Sequence, residues 1–281
     1  MDTKLNQLVD QIKQGDSQAL EEFVELIQDK VYGLALRMLY HPADAEDATQ
    51  EILIKVIVHL DSFRGESKLS SWVYRIAANH LLTARKSRAE KEEISFDSIV
   101  AQIDQMEASA WKQEEAESCQ GVLLEEVRFR CMQGFQQCLD RDLRIAFVLG
   151  AVMEVSGAQG AYILDITPAA FRKRLSRARA RLHEFMRGRC GMMNPENPCH
   201  CSAVSRMVAQ EGPSDQNQLP STLNLKLGMD REFIESLKEM DGMERMSALF
   251  KSYAELAAPE RFLKELKSMI ATDRFPLLNL Q

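Results

Sequence analysis

Apolar residues recur at helical spacing along most of this chain, and the strict alternation of a half-buried strand is scarce. From Ala45 to Leu60, the residues Ala45, Ala48, Ile52, Val56, Ile57 and Leu60 share one helix face. The opposite face carries Asp47, Gln50, Glu51, Ile54 and Val58. Water gives Ile54 and Val58 no benefit, so this mixed acidic and apolar stripe reads as a protein-binding surface; a helix buried on both sides is the alternative. From Ser71 to Arg88 the period repeats. Leu69, Val73, Ile76, Ala77 and His80 point inward, and Arg75, Asn79, Leu82 and Lys86 form an outer line bordered by Trp72. Breaks are expected at Gly15-Asp16, at His41-Pro42 and at Arg64-Gly65-Glu66-Ser67.

Further along, Ser156-Gly157-Ala158-Gln159 fits a capping box that opens a short helix through Leu164, with Asp165-Ile166 as the turn. Thr167 then caps a second helix that has Pro168 at its first position, where the missing N–H costs nothing. Phe171, Leu175, Ala178, Leu182 and Phe185 make its apolar stripe, and Arg172, Lys173, Arg174, Arg177 and Arg181 cover the rest. Two short helices around a tight turn, the second one basic, suit a reader of the DNA major groove; an ordinary solvated arginine-rich helix is the alternative.

Composition supports an all-α architecture. Helix formers dominate, Gly (13) and Pro (8) are few, and 281 residues allow two or three domains. No basic leader or long apolar run appears, so a cytoplasmic protein without membrane contact is expected. The net charge of −7 argues mildly against nucleic acid, but it averages two opposite blocks. Residues 97–127 hold eight carboxylates against Lys112, and residues 167–189 hold eight cations against Glu184. These contrasts divide the chain into helical residues 1–95, an acidic linker 96–127, a helix-turn-helix unit 128–190, a cysteine cluster and polar linker 191–228, and a helical extension 229–281.

Three stretches together resemble the bacterial sigma-70 family, most closely its extracytoplasmic-function (ECF) members. Asp44-Ala45-Glu46-Asp47-Ala48-Thr49-Gln50-Glu51-Ile52, Phe63-Arg64-Gly65-Glu66-Ser67 and Trp72-Val73-Tyr74-Arg75-Ile76-Ala77-Ala78-Asn79 resemble region 2. The helix-turn-helix ending in Arg172-Lys173-Arg174-Leu175-Ser176-Arg177 resembles region 4. The resemblance spans roughly residues 8–190 and implies a factor that binds core RNA polymerase and directs initiation at promoters, without catalysis of its own. It implies that Asp44, Asp47, Gln50, Glu51, Ile54 and Val58 dock on the polymerase. Phe63, Arg64, Ser67, Lys68, Trp72, Arg75, Asn79 and Lys86 would recognise and open the −10 element. Thr167, Pro168, Ala169, Arg172, Lys173, Ser176 and Arg177 would meet the −35 element, and the acidic linker would lie in a basic polymerase channel. Where the family usually has Tyr-Glu-Glu-Ile-Ala, this chain has Gly157-Ala158-Gln159-Gly160-Ala161, and the two glycines should loosen that helix.

Cys119, Cys131 and Cys138 sit singly in helical patterns, whereas Cys190, Cys199 and Cys201 cluster after the basic helix. Three thiols with His183, or with His200, make a Cys3His set suited to zinc; a redox pair and a merely structural turn are the alternatives, and no cofactor is required for the main reading. In the extension, Phe233, Leu237 and Met240, then Met246, Leu249, Phe250, Tyr253 and Leu256, then Phe262, Leu263, Leu266 and Ile270 form three short stripes. Such short helices bury little alone. The extension is expected to fold back as a built-in regulator, replacing or assisting a separate anti-sigma factor. A duplex-binding regulator that needs no polymerase, and a metal or thiol sensor on a helical scaffold, are the competing readings. No Ser/His/Asp set, phosphate loop or His-x-x-x-His pair supports an enzyme.

Overall fold

The computed structural model describes residues 2–84, 94–105, 121–211, 231–252, 256–259 and 262. Lys86, Tyr253, Leu263, Leu266, Ile270 and the polar stretch 212–228 lie outside the described residues. The described part is all-α, and its one β-type pairing is an isolated bridge between Cys190 and Cys199.

Local chemistry sets the first four helices. Helix α1 (Asp2–Ile12) ends ahead of Gly15, which takes a φ of +88° that other residues resist. The Asp16 carboxylate then accepts the N–H groups of Gln18 and Ala19 at 2.9 and 3.0 Å, capping α2 (Ser17–Leu39). Helix α2 is the axis of this unit, buried along most of its second half. Helix α3 (Pro42–Val58) starts on Pro42, and after a 3₁₀ turn (Leu60–Ser62) and a polar loop comes α4 (Leu69–Thr83). Helices α1, α3 and α4 all pack on α2.

Helix α5 (Phe96–Gln105) follows. Helix α6 (Gly121–Gln137) starts inside the stretch assigned to the acidic linker, so that stretch is helical at both ends. Asp140 accepts the Leu143 N–H at 2.9 Å and caps α7 (Arg141–Phe147), which runs into a π-helical turn (Val148–Val152). Next come α8 (Gly157–Leu164) and α9 (Pro168–Arg189), the two helices of the expected helix-turn-helix. Helix α10 (Cys201–Glu211) forms inside the stretch assigned to the cysteine cluster and polar linker and lies on α6; in the extension, α11 (Arg231–Glu239) lies on α12, and α12 (Gly242–Lys251) on α9 and the π turn.

Buried arginines join the two units. Arg144, 2% exposed, donates to the carbonyls of Met38 (2.6 Å), Leu139 (2.9 Å) and Gln137 (3.1 Å). The Gln137 side chain donates to the Arg37 carbonyl at 2.9 Å. Arg141 caps the end of α4 by donating to Leu82 and Ala84 carbonyls at 3.0 and 2.6 Å. The extension spans both units: Phe250 meets Phe147 edge-on, Phe262 lies by Tyr32, and the Ala258 N–H donates to the Asp29 carboxylate at 2.9 Å.

Candidate nucleic-acid interface

The helix-turn-helix is built as its sequence dictates. Ser156 and Gln159 form the capping box at the start of α8. Asp165 closes α8 with a φ of +54°, a conformation its short polar side chain tolerates. Thr167 Oγ1 accepts the Ala170 N–H at 3.2 Å, fixing the start of α9. Phe171, Ala178, Leu182 and Met186 are buried, whereas Leu175 and Phe185 are half-buried, so the stripe turns slightly towards Met186.

Gly160 admits the Phe171 ring, whose atoms lie 2.3–2.7 Å from where a Cβ would stand. Gly150 does the same for Leu175, one of whose methyl carbons lies 2.7 Å from such a Cβ. One of the two glycines expected to loosen α8 thus also admits a close contact between the two helices.

The exposed face of α9 holds every residue expected to meet the −35 element: Thr167, Pro168, Ala169, Arg172, Lys173, Ser176 and Arg177. The remaining cations divide by direction. Arg174 pairs with Asp142 at 3.2 Å and Arg181 with Asp140 at 3.4 Å, both turned back onto α7. Arg172 and Lys173 are exposed and form the outward cationic edge, whereas Arg177, also exposed, lies beside the cleft lined by Asp140, Asp142, Arg174 and Arg181.

The second group, around α4, is split. Arg64, Lys68 and Asn79 are exposed, and Phe63 is half-buried against Trp72 with ring centroids 5.6 Å apart. Ser67 and Arg75 are engaged by α8: Ser67 donates to the Tyr162 hydroxyl at 3.0 Å, and Arg75 donates to the Tyr162 carbonyl at 3.2 Å and pairs with Asp165 at 2.9 Å. Ile76 and His80, expected inward, are only half-buried, while Ser71, Ala78 and Leu81 are buried. His80 sits at the flank, its Nδ1 2.7 Å from Lys55 Nζ; partial burial first, and Lys55 second, hold its imidazole below the usual histidine range.

On α3, Asp47, Glu51 and Val58 are exposed, and Asp44, Gln50 and Ile54 are half-buried. Val58, at 47%, is the most exposed large apolar side chain described. The inward face also takes Glu46, Thr49 and Leu53, Thr49 donating to the Ala45 carbonyl at 2.6 Å. The stripe is thus open to a partner and not buried on both sides.

Of the four residues expected to bind metal, three stay near each other and one does not. Cys190, Cys199 and Cys201 gather at the end of α9. His183 shares their side of the helix but stands seven residues back, about 10 Å along the axis. It packs instead on Gly242 of α12, where a Cβ would come within 2.7 Å of its Nε2. Cys131 of α6, distant in sequence, lies with the cysteines. Among the described residues, no three His, Cys, Asp or Glu side chains form a ready-made metal cage.

Comparison with known proteins follows the same lines. Residues 23–90 match the family model for sigma-70 region 2. The ECF RNA polymerase sigma factor SigW of Bacillus subtilis is 32% identical over 192 residues, covering 66% of this chain and 99% of SigW. The ECF RNA polymerase sigma-E factor of Escherichia coli K12 is 34% identical over 179 residues, covering 61% of this chain and 88% of the relative. A solved sigma factor, RpoE of Bartonella quintana in complex with the anti-sigma factor NepR, is 19% identical with a TM-score of 0.40, over 59% of this chain and 95% of that one.

Proposed function

This chain belongs to the ECF RNA polymerase sigma factors of the sigma-70 family, and we propose a specific division among its helices of the work of binding core polymerase and directing initiation at particular promoters. Sigma factors are DNA-binding regulators and not enzymes, in keeping with a surface built from cations, small polar side chains and one acidic apolar stripe.

The exposed face of α3 docks on core polymerase through Asp47, Glu51 and Val58, with Asp44, Gln50 and Ile54 at its border. The loop and helix from Phe63 to Asn79 recognise and open the −10 element. There the Phe63 and Trp72 rings offer stacking surfaces and Arg64 and Lys68 meet phosphates. The start of α9 enters the major groove at the −35 element, with Arg172, Lys173 and Arg177 on the backbone. The observation that carries this reading is the exposure of the groove-reading end of α9, where Thr167, Pro168, Ala169, Arg172, Lys173, Ser176 and Arg177 all face solvent, while Arg174 is half-buried and paired with Asp142 at 3.2 Å.

A second reading concerns regulation. The engagement of Ser67 and Arg75 by Tyr162 and Asp165 supports a closed resting form, in which the −35 unit covers part of the −10 face. The extension braces that form by touching both units at Asp29, Tyr32 and Phe147. It thereby does within one chain part of what an anti-sigma factor does as a partner. No helix among the described residues is long and apolar enough to cross a membrane, and we place the protein with the polymerase in the cytoplasm.

Run-off transcription with purified core enzyme over a library of genomic fragments tests the assignment. Wild type should give core-dependent initiation from a defined promoter set, and Asp47→Lys should lose both initiation and core binding at unchanged melting temperature. Duplex binding without any core-dependent initiation would replace this reading by that of a simple helix-turn-helix regulator.

A further inference from the structure

The loop that opens the −10 face is met by a cation from a distant part of the chain. Helix α1 buries Leu5, Leu8, Val9 and Ile12 and packs on both α2 and α4, so its end has a fixed place in the unit. Backbone bonds close that end: the Lys13 N–H donates to the Val9 carbonyl at 3.0 Å, and the Gly15 N–H to the Ile12 carbonyl at 2.9 Å. Gly15 then turns the chain with its φ of +88°. Lys13 stands exposed at this corner, and its ammonium donates to the Phe63 carbonyl, 50 residues on, at 3.4 Å.

Lys13 is not neutralised there. Among the described residues it holds no ion pair, with Asp10 one turn back or with any other carboxylate. The Asp16 carboxylate, three residues on, is turned to the Gln18 and Ala19 N–H groups. Lys4 on the same helix is different, because it pairs with Glu22 at 2.6 Å.

The aromatic rings connect Lys13 to two more exposed cations, Arg64 and Lys68. Phe63 directly precedes Arg64, and its ring centre lies 5.6 Å from that of Trp72. The Trp72 N–H in turn donates to the Lys68 carbonyl at 3.1 Å, in the first turn of α4. Cations from the α1–α2 corner, the polar loop and the start of α4 thus flank one pair of rings, with Asp61 and Glu66 exposed in the same loop.

Contact with α8 divides this face in two. Ser67 and Arg75 are held by Tyr162 and Asp165, whereas Lys13, Arg64 and Lys68 remain exposed in the closed form. We propose that Lys13 is a phosphate-binding residue, and that Lys13, Arg64 and Lys68 form a landing edge for a single DNA strand that is open while the chain is closed. The inference rests on the reading of this unit as the one that meets the −10 element.

The chemistry of the edge fits a single strand. An ammonium has three donors on a flexible stem, so Lys13 can keep one on the Phe63 carbonyl and turn the others to a phosphate. Bases freed from pairing stack on rings such as Phe63 and Trp72 while the flanking phosphates meet cations. Phosphate contacts position a strand without reading its sequence. A strand therefore lands on this edge whatever its sequence, and sequence is read once Tyr162 and Asp165 release Ser67 and Arg75.

The experiment uses the full-length protein without polymerase and a fluorescent oligothymidylate, titrated by anisotropy over a range of salt. Wild type should bind with an affinity that falls as salt rises. Lys13→Gln, whose amide still offers a donor to the Phe63 carbonyl, should reduce the slope of log affinity against log salt by about 0.7, the value for one phosphate contact on a single strand. Lys13→Arg keeps the charge and should keep the slope. Lys4→Gln makes the same charge change at a paired lysine and should leave the slope as in wild type. Wild type that does not bind the oligothymidylate overturns the proposal, as does a Lys13→Gln protein with the wild-type slope. So does a Lys4→Gln protein that alters the slope as much as Lys13→Gln, which would make the effect one of net charge. Run-off transcription with the same preparations keeps the two readings apart. Core-dependent initiation together with an unaltered Lys13→Gln slope removes the landing edge alone, whereas wild type that gives no core-dependent initiation removes the −10 reading beneath it.

Discussion

Arg75 of α4 pairs with Asp165, in the turn of the helix-turn-helix, at 2.9 Å, and the same guanidinium lies 5.1 Å from the centre of the Tyr162 ring. A residue expected at the −10 element is thus held by the unit expected at the −35 element. At about 3.4 Å per base pair, those elements lie on the order of 80 Å apart along DNA. No promoter complex that uses both can keep this contact, so opening is part of initiation.

Weakening the contact should therefore help the protein bind −10 DNA without polymerase. The Asp165 carboxylate is 75% exposed, so the ion pair is worth at most about 1 kcal/mol. Asp165→Asn, which keeps the left-handed turn, should raise affinity for a single-stranded −10 oligonucleotide by no more than about fivefold. Tyr162→Ala removes the hydroxyl that accepts from Ser67 and the ring under Arg75, and should raise it further. Fluorescence anisotropy titrations read both. Equal affinity in wild type and both variants would mean the closed form does not compete with DNA.

Gly160→Ala and Gly134→Ala should move stability in opposite directions. The Cβ at 160 would meet the Phe171 ring at 2.3 Å, deep between α8 and α9, and overpacking of this kind costs about 1–3 kcal/mol. The Cβ at 134, inside α6, meets nothing within 4 Å, and replacing a helical glycine by alanine gains up to about 1 kcal/mol. Thermal melts should show the first variant lowered by several degrees and the second unchanged or raised. A Gly160→Ala protein as stable as wild type would show that Phe171 can move aside.

The two glycines also show what the sequence could and could not carry. Ser156 with Gln159, Thr167 with Ala170, and Pro42 and Pro168 at helix starts are contacts within one turn, and they were legible as such. So were the exposed faces of α3 and α9, since a helix of fixed period turns composition into geometry. Gly160 against Phe171, Cys131 beside Cys201, and Arg75 against Asp165 join residues 11, 70 and 90 positions apart. Only packing decides such pairs. Periodicity likewise put His183 on the same angular face as Cys190, but not at the same height, and the two separate along the axis.

Arg144 should be the residue on which the union of the two units depends most. It is buried, and its guanidinium donates to the carbonyls of Met38, Gln137 and Leu139, the first on α2 and the others beside its own helix. Arg144→Met keeps much of the apolar bulk and leaves three buried carbonyls without this donor, a loss of about 3 kcal/mol or more. Denaturant unfolding followed by two probes, one in each unit, should show coincident transitions in wild type and separated ones in the variant. Transitions that shift together would place the coupling elsewhere in the interface.

The outward and inward cations of α9 should separate in their response to salt. Each phosphate neutralised by a cation releases counterions, and binding then falls with the logarithm of salt with a slope of about 0.9 per contact. Lys173 is exposed on the groove-reading face, so Lys173→Gln should reduce the slope of holoenzyme binding to −35 duplex by about that amount. Arg174 carries the same charge one residue on but pairs with Asp142 at 3.2 Å, turned onto α7. Arg174→Gln should therefore leave the slope nearly unchanged, although both substitutions change net charge equally. If the two variants altered the slope alike, the helix would act through its overall charge and not through the oriented edge of Arg172 and Lys173.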